Sequence, residues 1–208
     1  MKLSAILPLP AVVAQHRASV FTAVRGEPVL VRLVHALAAA ADEVLVVVDA
    51  RLIEDVQASL AGPPVRIVDA GESPSTTDCL ALAAQQLRSM AVTHALVAHH
   101  RYPVMPAGLL ARVVGALADG AELVVPVLPV TDTVKMVDGQ GIIRSTLDRA
   151  ELRITQYPYG CSVRRLVDLH AGLGGGEGLV TVVGDADAVP VDLPADAALL
   201  DAIIACRS

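Results

Sequence analysis

Residues 106–129 read PAGLLARVVGALADGAELVVPVLP and join a helix pattern to a strand pattern. Apolar side chains recur on one stripe at helical spacing, at Leu109, Leu110, Val113, Val114 and Leu117. Pro106 near the start and Gly120 just after the end are typical helix boundaries. The apolar run Leu123–Val125 that follows is typical of a strand buried on both faces. The stretch therefore predicts a helix that leads into a buried strand.

Strand and helix patterns also alternate along the rest of the chain. Four more short apolar runs predict buried strands, at Ala5–Leu7, Val44–Val48, Val65–Val68 and Ala95–Val97. Four more segments have helical patterns, at residues 28–41, 51–61, 75–90 and from Pro194 onward. This alternation predicts an α/β fold with a mostly parallel, doubly wound sheet. Ligands of such sheets bind beyond the carboxyl ends of the strands, so we look for chemistry in the loops after Leu7, Val68, Val97 and Val125.

Residues 131–157 depart from this alternation of strands and helices. Two short strand patterns, Thr133–Val137 and Ile142–Ser145, flank the turn sequence Asp138–Gly141, which predicts a hairpin. A further strand is expected around Arg153–Gln156. A hairpin that extends from the domain must pack its faces against another surface, and a second subunit is the natural candidate.

A glycine-rich run, GLGGGEG at residues 172–178, is too flexible for the interior of a helix or strand. We interpret it as a loop that leads into a strand at Leu179–Val183. A phosphate-binding loop is the alternative, but the run follows a helix pattern and contains no GxGxxG spacing before a helix.

The composition favours one compact domain spanning residues 1–208. Apolar residues make up 54% of the chain and charged residues 18%. Aromatic residues make up only 2%, and the formal net charge is −6. Aromatic platforms for bases and clustered cations for phosphates are therefore both scarce, so we expect no nucleic-acid partner.

The cysteines Cys79, Cys161 and Cys206 are far apart and form no CxxC pair, which argues against a disulfide framework or a zinc site.

The apolar N-terminal run resembles a secretory signal, but Pro8 and Pro10 interrupt it. No apolar segment approaches the roughly 20 residues that a membrane-spanning helix needs. We expect a cytoplasmic protein with no membrane partner.

The sequence VVPVLPVTDTVKMVD at residues 124–138, followed by the segments TLDR and QYPYG, carries a family pattern. It resembles the 2-C-methyl-D-erythritol 4-phosphate cytidylyltransferases of the non-mevalonate isoprenoid pathway, whose motifs read PVxDTIKxVD, TxxR and QTPQxF. The resemblance implies a three-layer, Rossmann-like nucleotidyltransferase fold of the glycosyltransferase-A type. It also implies a homodimer in which residues 131–157 form a β-arm that reaches over the partner's active site.

The resemblance implies that residues of the β-arm bind a sugar phosphate. Thr133 of the DTxK motif and Arg149 of TxxR would contact the phosphate of methylerythritol phosphate. Asp132 and Lys135 belong to the same motif. A simpler interpretation is that Thr131 and its neighbours satisfy backbone amides at a strand start. Arg149 could likewise form a solvated ion pair with a neighbouring carboxylate.

The nucleotide half of the family site depends on other residues. Transfer of a cytidylyl group from CTP builds negative charge on the triphosphate, and cations, Mg²⁺ and backbone donors stabilise that charge. The family's glycine-rich first loop with its PK dipeptide corresponds to residues 9–21, which contain no glycine. Ser19 stands in the lysine position, and only Arg17 could substitute. The late lysine of the family's FKIT motif corresponds to Pro190.

Two further family features are altered as well. The loop GGxxRxxSV corresponds to residues 70–78, where Gly71 and Asp78 are the remaining candidates for nucleotide contacts. In the HDAARP motif the aspartate binds Mg²⁺, and here His99 takes its position. Imidazole is a poor ligand for Mg²⁺ and suits zinc better. His99 and His100 could equally be ordinary loop histidines. Adjacent residues of a strand point to opposite faces, so the two could bind one ion together only if the chain bends there. Asp78 could simply favour a helix dipole.

Changes at all four features predict a catalytically degenerate relative, because losing even one preorganised donor typically costs about 10²–10³ in rate. Such a chain would retain the fold, the arm and part of the sugar-phosphate site. Its ligand could be a phosphorylated small molecule, and its partner a second copy or a true cytidylyltransferase subunit. The alternative is an active, Mg²⁺-dependent nucleotidyltransferase in which Arg17, Arg101, Asp78 and His99 hold nucleotide and metal.

Overall fold

The computed structural model describes residues 1–60, 65–170 and 178–206. The strands are β1 (Leu3–Leu9), β2 (Ala23–Val24), β3 (Glu27–Pro28), β4 (Glu43–Val48), β5 (Val65–Asp69), β6 (His94–Val97), β7 (Leu123–Pro129), β8 (Val134–Val137), β9 (Ile143–Leu147), β10 (Arg153–Thr155), β11 (Tyr159–Ser162) and β12 (Leu179–Val183). The helices are α1 (Ala11–Gln15), α2 (Ala18–Phe21), α3 (Val29–Ala38), α4 (Ile53–Ser59), α5 (Thr76–Ser89), α6 (Ala107–Ala118), α7 (Val163–His170) and α8 (Ala197–Ala205). Short 3₁₀ helices lie at Ala50–Leu52 and Arg149–Glu151.

The central sheet is mostly parallel, as predicted. β1 pairs in parallel with β4 and β6, β4 pairs with β5, and β7 pairs with β12. β11 lies antiparallel between β6 and β7, and β10 continues along the same edge of β7. The α/β fold with a Rossmann-like sheet is therefore confirmed.

Helices cover both faces of the sheet and give three layers. Alternate residues of each strand point to opposite faces, so β1 contributes Leu7 to one core and Ile6 to the other. The first core lies under α3, α4 and α6, and the second lies under α5 and α7. This double burial explains why the strand sequences are continuous apolar runs instead of alternating ones.

The sequence patterns did not reveal β11, nor the short helices α1 and α2. β11 has only four residues, and one of them is Gly160, which is a poor strand former. The glycine has a packing reason, since a Cβ at position 160 would lie 2.7 Å from Leu117 of α6. Gly160 therefore lets α6 pack directly onto β11.

The predicted hairpin is present as β8 and β9, which form a two-stranded sheet separate from the central one. Asp138 closes its turn by accepting hydrogen bonds from the amides of Gln140 and Ile142 at 2.9 and 3.0 Å. The strand predicted at Leu179–Val183 is β12, but residues 172–177 of the glycine-rich run lie outside the described residues. None of the helices in the described ranges is long and apolar enough to cross a membrane.

Candidate functional site

Loops from several strands meet beyond the carboxyl ends of the sheet, where the sequence led us to expect them. The amide of Ala11, after β1, donates to the carbonyl of Pro74, after β5, at 2.9 Å. The amide of Ala50, after β4, donates to the carbonyl of Gly71 at 2.9 Å. We call the region formed by these loops and the one after β6 the sheet-edge cleft; it contains a cavity between the loops after β1 and β6. The chain after β7 leads instead into the β8–β9 hairpin.

Asp49 organises one side of the cleft, although the sequence did not single it out. Its side chain is fully buried and accepts hydrogen bonds from the amide, Nε and a terminal nitrogen of Arg51 at 2.7–2.9 Å. It also accepts from the amide of Ser73 at 3.1 Å. The Arg51 guanidinium holds the pKa of the Asp49 carboxyl below its usual range. A charged residue directly after the buried run VLVVV was the available signal.

The two predicted nucleotide-loop residues have backbone roles here. Gly71 has φ +77°, a left-handed conformation that glycine adopts without strain. Asp78 forms a capping box at the start of α5, since its carboxylate accepts from the amide and hydroxyl of Ser75 at 2.8 and 2.7 Å. These hydrogen bonds, the hydroxyl's foremost, lower the pKa of the Asp78 carboxyl. Asp78 is thus a carboxylate in the first turn of α5, as the simpler interpretation expected.

Arg17 lies at the start of α2 and forms an ion pair with Asp55 of α4. Its guanidinium also lies over the Phe21 ring, 5.8 Å from the centroid. Ser19 follows on the same helix, and its hydroxyl oxygen is buried with no hydrogen-bond partner among the described residues. Arg17 is therefore engaged by a carboxylate of its own chain.

Arg101 lies in the loop after β6. Its guanidinium donates to Asp192 at 2.8 Å, and the Arg101 carbonyl accepts from the Val191 amide at 2.8 Å. A cavity of about 320 Å³ lies between these residues and the first loop. It is lined by Val12, His16, Ser19, His100, Arg101, Val191, Asp192 and Leu193. The second arginine of the cleft is thus also paired within the chain.

His99 and His100 lie in the turn after β6, and their rings stack with centroids 4.5 Å apart. Adjacent residues point to opposite faces only while the strand continues, and the chain has already left β6 at Val97, so the two rings can lie on the same side. The Arg101 amide donates to Nδ1 of His99 at 3.2 Å, so the neutral ring carries its proton on Nε2. Burial lowers the pKa of both rings, with a smaller contribution from Arg101, and that of His100 falls to about 4.

All three tyrosines of the chain gather beside His99. The Tyr157 ring lies 5.1 Å from His99, 5.3 Å from Tyr102 and 5.8 Å from Tyr159, measured between centroids. We call these four residues the tyrosine cluster. Each is only partly exposed. The sequence contains a sign of this cluster, because two of the tyrosines stand in QYPYG where the family motif QTPQxF has polar residues.

Gln156 fixes the loop after β12 beside this cluster. It is buried, and its amide nitrogen donates to the carbonyls of Asp185 and Ala188, both at 2.8 Å. Its side-chain oxygen accepts from the Asp185 amide at 2.8 Å. Gln156 therefore connects the strand that follows the hairpin to the loop that ends at Asp192.

The hairpin brings together the residues predicted to contact a phosphate. Thr133 and Arg149 line one cavity of about 360 Å³, together with Thr146, Leu147 and Asp148. Lys135 donates to the Thr146 hydroxyl at 2.6 Å, and Arg149 donates to the Thr131 carbonyl at 2.5 Å. Asp132 is exposed. In the described part of the chain, no hydrogen bond connects this cavity with the sheet-edge cleft.

Comparison with known proteins decides the family. The sequence profile of 2-C-methyl-D-erythritol 4-phosphate cytidylyltransferase (IspD) matches residues 12–191. The relative of that name from Rhodococcus jostii (strain RHA1) is 31% identical over 204 residues, covering 91% of this chain and 88% of the relative. The one from Nocardia farcinica (strain IFM 10152) is 34% identical over 204 residues, covering 90% and 86%. The chain belongs to the 2-C-methyl-D-erythritol 4-phosphate cytidylyltransferase family.

Solved structures of this cytidylyltransferase family share the fold. A crystal structure of 4-diphosphocytidyl-2C-methyl-D-erythritol synthase has a TM-score of 0.80 at 22% identity and covers 98% of this chain and 100% of its own. The synthase from Anaerococcus prevotii DSM 20548 has a TM-score of 0.81 at 15% identity and covers 98% of both chains. At these identities the likeness concerns the fold.

The cytidylyltransferase family implies a Mg²⁺ ion, and the residues at the HDAARP position do not fit it. The family aspartate is replaced by His99, whose Nδ1 already accepts the Arg101 amide. Mg²⁺ prefers hard oxygen ligands in octahedral geometry. Within the described ranges, no group of three or more His, Cys, Asp or Glu side chains is arranged to hold a metal ion. We therefore derive no step through a metal.

Proposed function

We propose that this cytidylyltransferase-family chain has lost most or all cytidylyl transfer and retains the half of the site that lies on the hairpin. The observation that carries the proposal is the state of His99. A neutral imidazole, already bonded to the Arg101 amide, takes the position of the family's metal-binding aspartate. It offers a proton on Nε2 where the reaction needs an anionic oxygen ligand.

The cations of the cleft support the same proposal. The alternative, an active enzyme with unusual residues, needs Arg17 and Arg101 to bind the triphosphate. Both guanidinium groups are paired, with Asp55 and Asp192. A triphosphate would have to displace these carboxylates or bind beside them, and like charges close together oppose that. Asp78, the fourth residue of the alternative, caps α5.

We further propose that residues 131–157 are the dimerisation arm of a single domain. Four apolar side chains around the hairpin turn are about half exposed or more: Met136 (49%), Val137 (59%), Ile142 (51%) and Ile143 (60%). Exposed apolar side chains this close together are typical of a surface that another chain covers. A second copy is the first candidate, and a true cytidylyltransferase subunit is the other.

Thr133 and Arg149 would then hold the phosphate of a small molecule, with Lys135 and Asp132 beside them. A guanidinium and a hydroxyl that line one cavity suit a phosphate monoester, because both donate hydrogen bonds to its oxygens. Arg149 already donates to a backbone carbonyl, which fixes the side chain in place.

Pyrophosphate release tests the loss of transfer. Purified protein is incubated with CTP, methylerythritol phosphate and Mg²⁺ or Mn²⁺, and we expect turnover far below roughly 1 s⁻¹, the low end for ordinary enzymes. Turnover above that rate would overturn the proposal. Calorimetry with CTP alone is the matched binding measurement. We expect no heat, whereas an active enzyme requires binding that weakens in Arg17→Ala.

A further inference from the structure

A groove between α3 and α6 lies apart from the cleft and the hairpin. Its polar end is a cavity of about 380 Å³, whose lining includes Glu27, Arg32 and His35. Its apolar end is a cavity of about 210 Å³, lined by Ala39, Ala40, Ala107, Leu110, Ala111 and Val114. We call the two cavities together the α3–α6 groove. Of the described residues that line it, none also lines the hairpin cavity or the cavity of the sheet-edge cleft.

The two cavities follow one another along the same two segments of the chain. Ala39, which lines the apolar end, lies one turn beyond His35 of the polar end, and residues four apart share a helix face. On the other segment, Ala107 of the apolar end directly follows Pro106 of the polar end. From Arg32 to Ala39 the distance along the helix axis is about 10 Å, because each residue rises about 1.5 Å. One linear ligand can therefore occupy both cavities.

Most of the groove is apolar. The apolar residues that line the polar end are Ala36, Pro103, Val104, Met105, Pro106 and Ile204. At the apolar end every lining residue is apolar, and four of the six are alanines, whose methyl groups are too short to fill the space. Such a surface offers water few hydrogen bonds, so a hydrocarbon chain that covers it is favoured.

The polar end keeps hydrogen-bonding groups for a ligand. Arg32 forms an ion pair with Glu27 at 2.9 Å through one terminal nitrogen, and a guanidinium carries five N–H donors. Nδ1 of His35 lies 3.1 Å from the other carboxylate oxygen of Glu27. A carboxylate only accepts, so Nδ1 carries the proton of the neutral ring and Nε2 is left as an acceptor. A hydroxyl, which both accepts and donates, matches Arg32 and His35 together.

The charges at the polar end select an uncharged head group. Glu27 and Arg32 balance each other, and both are partly buried. An anionic head group would lie beside the Glu27 carboxylate, and a cationic one beside the Arg32 guanidinium. Like charges this close together oppose binding.

We propose that the α3–α6 groove binds an uncharged amphiphile of the chemistry of a linear aliphatic alcohol. Its hydroxyl lies at Arg32 and His35, and its hydrocarbon chain lies along Ala39 and Ala111. The proposal goes beyond the proposed function and does not depend on it, because none of the described residues that line the groove takes part in that function.

Methyl NMR tests the groove with probes that share one tail. The chain has four methionines, of which Met105 lines the groove, whereas Met1, Met90 and Met136 do not. We expect 1-octanol to shift the methyl signal of Met105 with a Kd of about 0.1–1 mM, a typical affinity for a small apolar ligand. Octanoate and octylammonium carry charged head groups on the same tail and should bind at least about tenfold more weakly. Equal shifts at all four methionines, or equal affinities for the three probes, would overturn the proposal.

A variant at the apolar end tests where the hydrocarbon chain lies. Ala111→Leu fills this cavity, and we expect at least about tenfold weaker binding of 1-octanol. Ala118→Leu is the matched control, because Ala118 is exposed on the same helix and lies outside the groove. It should bind 1-octanol like the parent. Equal affinities in the two leucine variants would contradict binding in the groove.

A variant at the polar end tests the selection by charge. Glu27→Gln leaves the Arg32 charge unbalanced, so octanoate should bind at least about threefold more tightly than it binds the parent. If this variant does not fold, Arg32→Gln tests the same point with the opposite sign, and octylammonium should gain affinity. Unchanged affinities for the charged probes would contradict a head-group site at Glu27 and Arg32. A Met105 signal that changes with protein concentration, and not with 1-octanol, would show that another copy of the chain covers the groove, which would also overturn the proposal.

Discussion

The β8–β9 hairpin and the sheet-edge cleft differ in how their polar groups are satisfied. On the hairpin, Asp132, Thr133 and Lys135 are exposed, and Lys135 donates a hydrogen bond to the Thr146 hydroxyl. In the cleft, Asp49 is fully buried and accepts four hydrogen bonds, and both candidate arginines pair with carboxylates. Asp132, Thr133 and Lys135 are thus accessible on the hairpin, whereas Asp49 and the two arginines of the cleft are engaged by their own chain.

The difference indicates what each region is for. Exposed side chains on a hairpin add little to the stability of their own domain, which leaves them available for contacts outside the chain. Buried, reciprocally bonded groups hold loops in place and leave little for a charged ligand. The proposed phosphate site therefore lies on the hairpin, and the Asp49 side of the cleft has a structural role.

The largest effect is expected from Asp49→Ala. The substitution leaves the Ser73 amide and the Arg51 guanidinium without their acceptor, and we expect it to lower the free energy of unfolding by about 2–4 kcal/mol. Urea denaturation measures the change. Asp132→Ala on the hairpin is the matched control and should stay within about 0.5 kcal/mol of the parent. Equal losses of unfolding free energy in the two variants would contradict the claim that the cleft, and not the hairpin, contributes to the stability of the domain.

The hairpin surface should decide the oligomeric state. Light scattering is expected to give about twice the 21.5 kDa mass of one chain. Val137 and Ile143 are register partners, so Val137→Lys with Ile143→Glu removes apolar surface while placing opposite charges across the hairpin. We expect at least about 100-fold weaker dimerisation, because two charges would be buried in the interface.

Leu199→Lys provides the control for that experiment. Leu199 is 50% exposed on α8, away from the hairpin, and its charged variant should remain dimeric. A parent protein that is monomeric, or a double hairpin variant that still dimerises, would leave the exposed apolar side chains of the hairpin without an explanation.

The smallest effect is expected from releasing Arg101. Asp192→Asn removes its ion-pair partner, and inorganic pyrophosphate should then bind about two- to fivefold more tightly, since exposed ion pairs are weak. Calorimetry at low salt measures the affinity. Asp201→Asn changes the net charge equally from α8, and a similar gain there would show that overall charge, and not the pairing of Arg101, limits anion binding.

Local patterns predicted most of the fold. The periodicity of residues 106–129 placed α6 and β7 within a few residues, and the turn Asp138–Gly141 placed the hairpin. β11 was missed because its four residues carry no period that distinguishes a strand from a loop. Some predicted site residues come together and others do not. Thr133 and Arg149 line one cavity, whereas Gly71 shapes a loop and Asp78 caps a helix.

The sequence by itself determined the alternation of buried strands and helices, the hairpin and the family, because each depends on periodicity, turn chemistry or motifs that are local in the chain. Only the tertiary structure decided which side chains meet. Arg101 pairs with Asp192, 91 residues away, and Tyr157 packs against His99 and Tyr102 because β11 inserts beside β6. Strand order is a property of the whole fold, so no local pattern contains it.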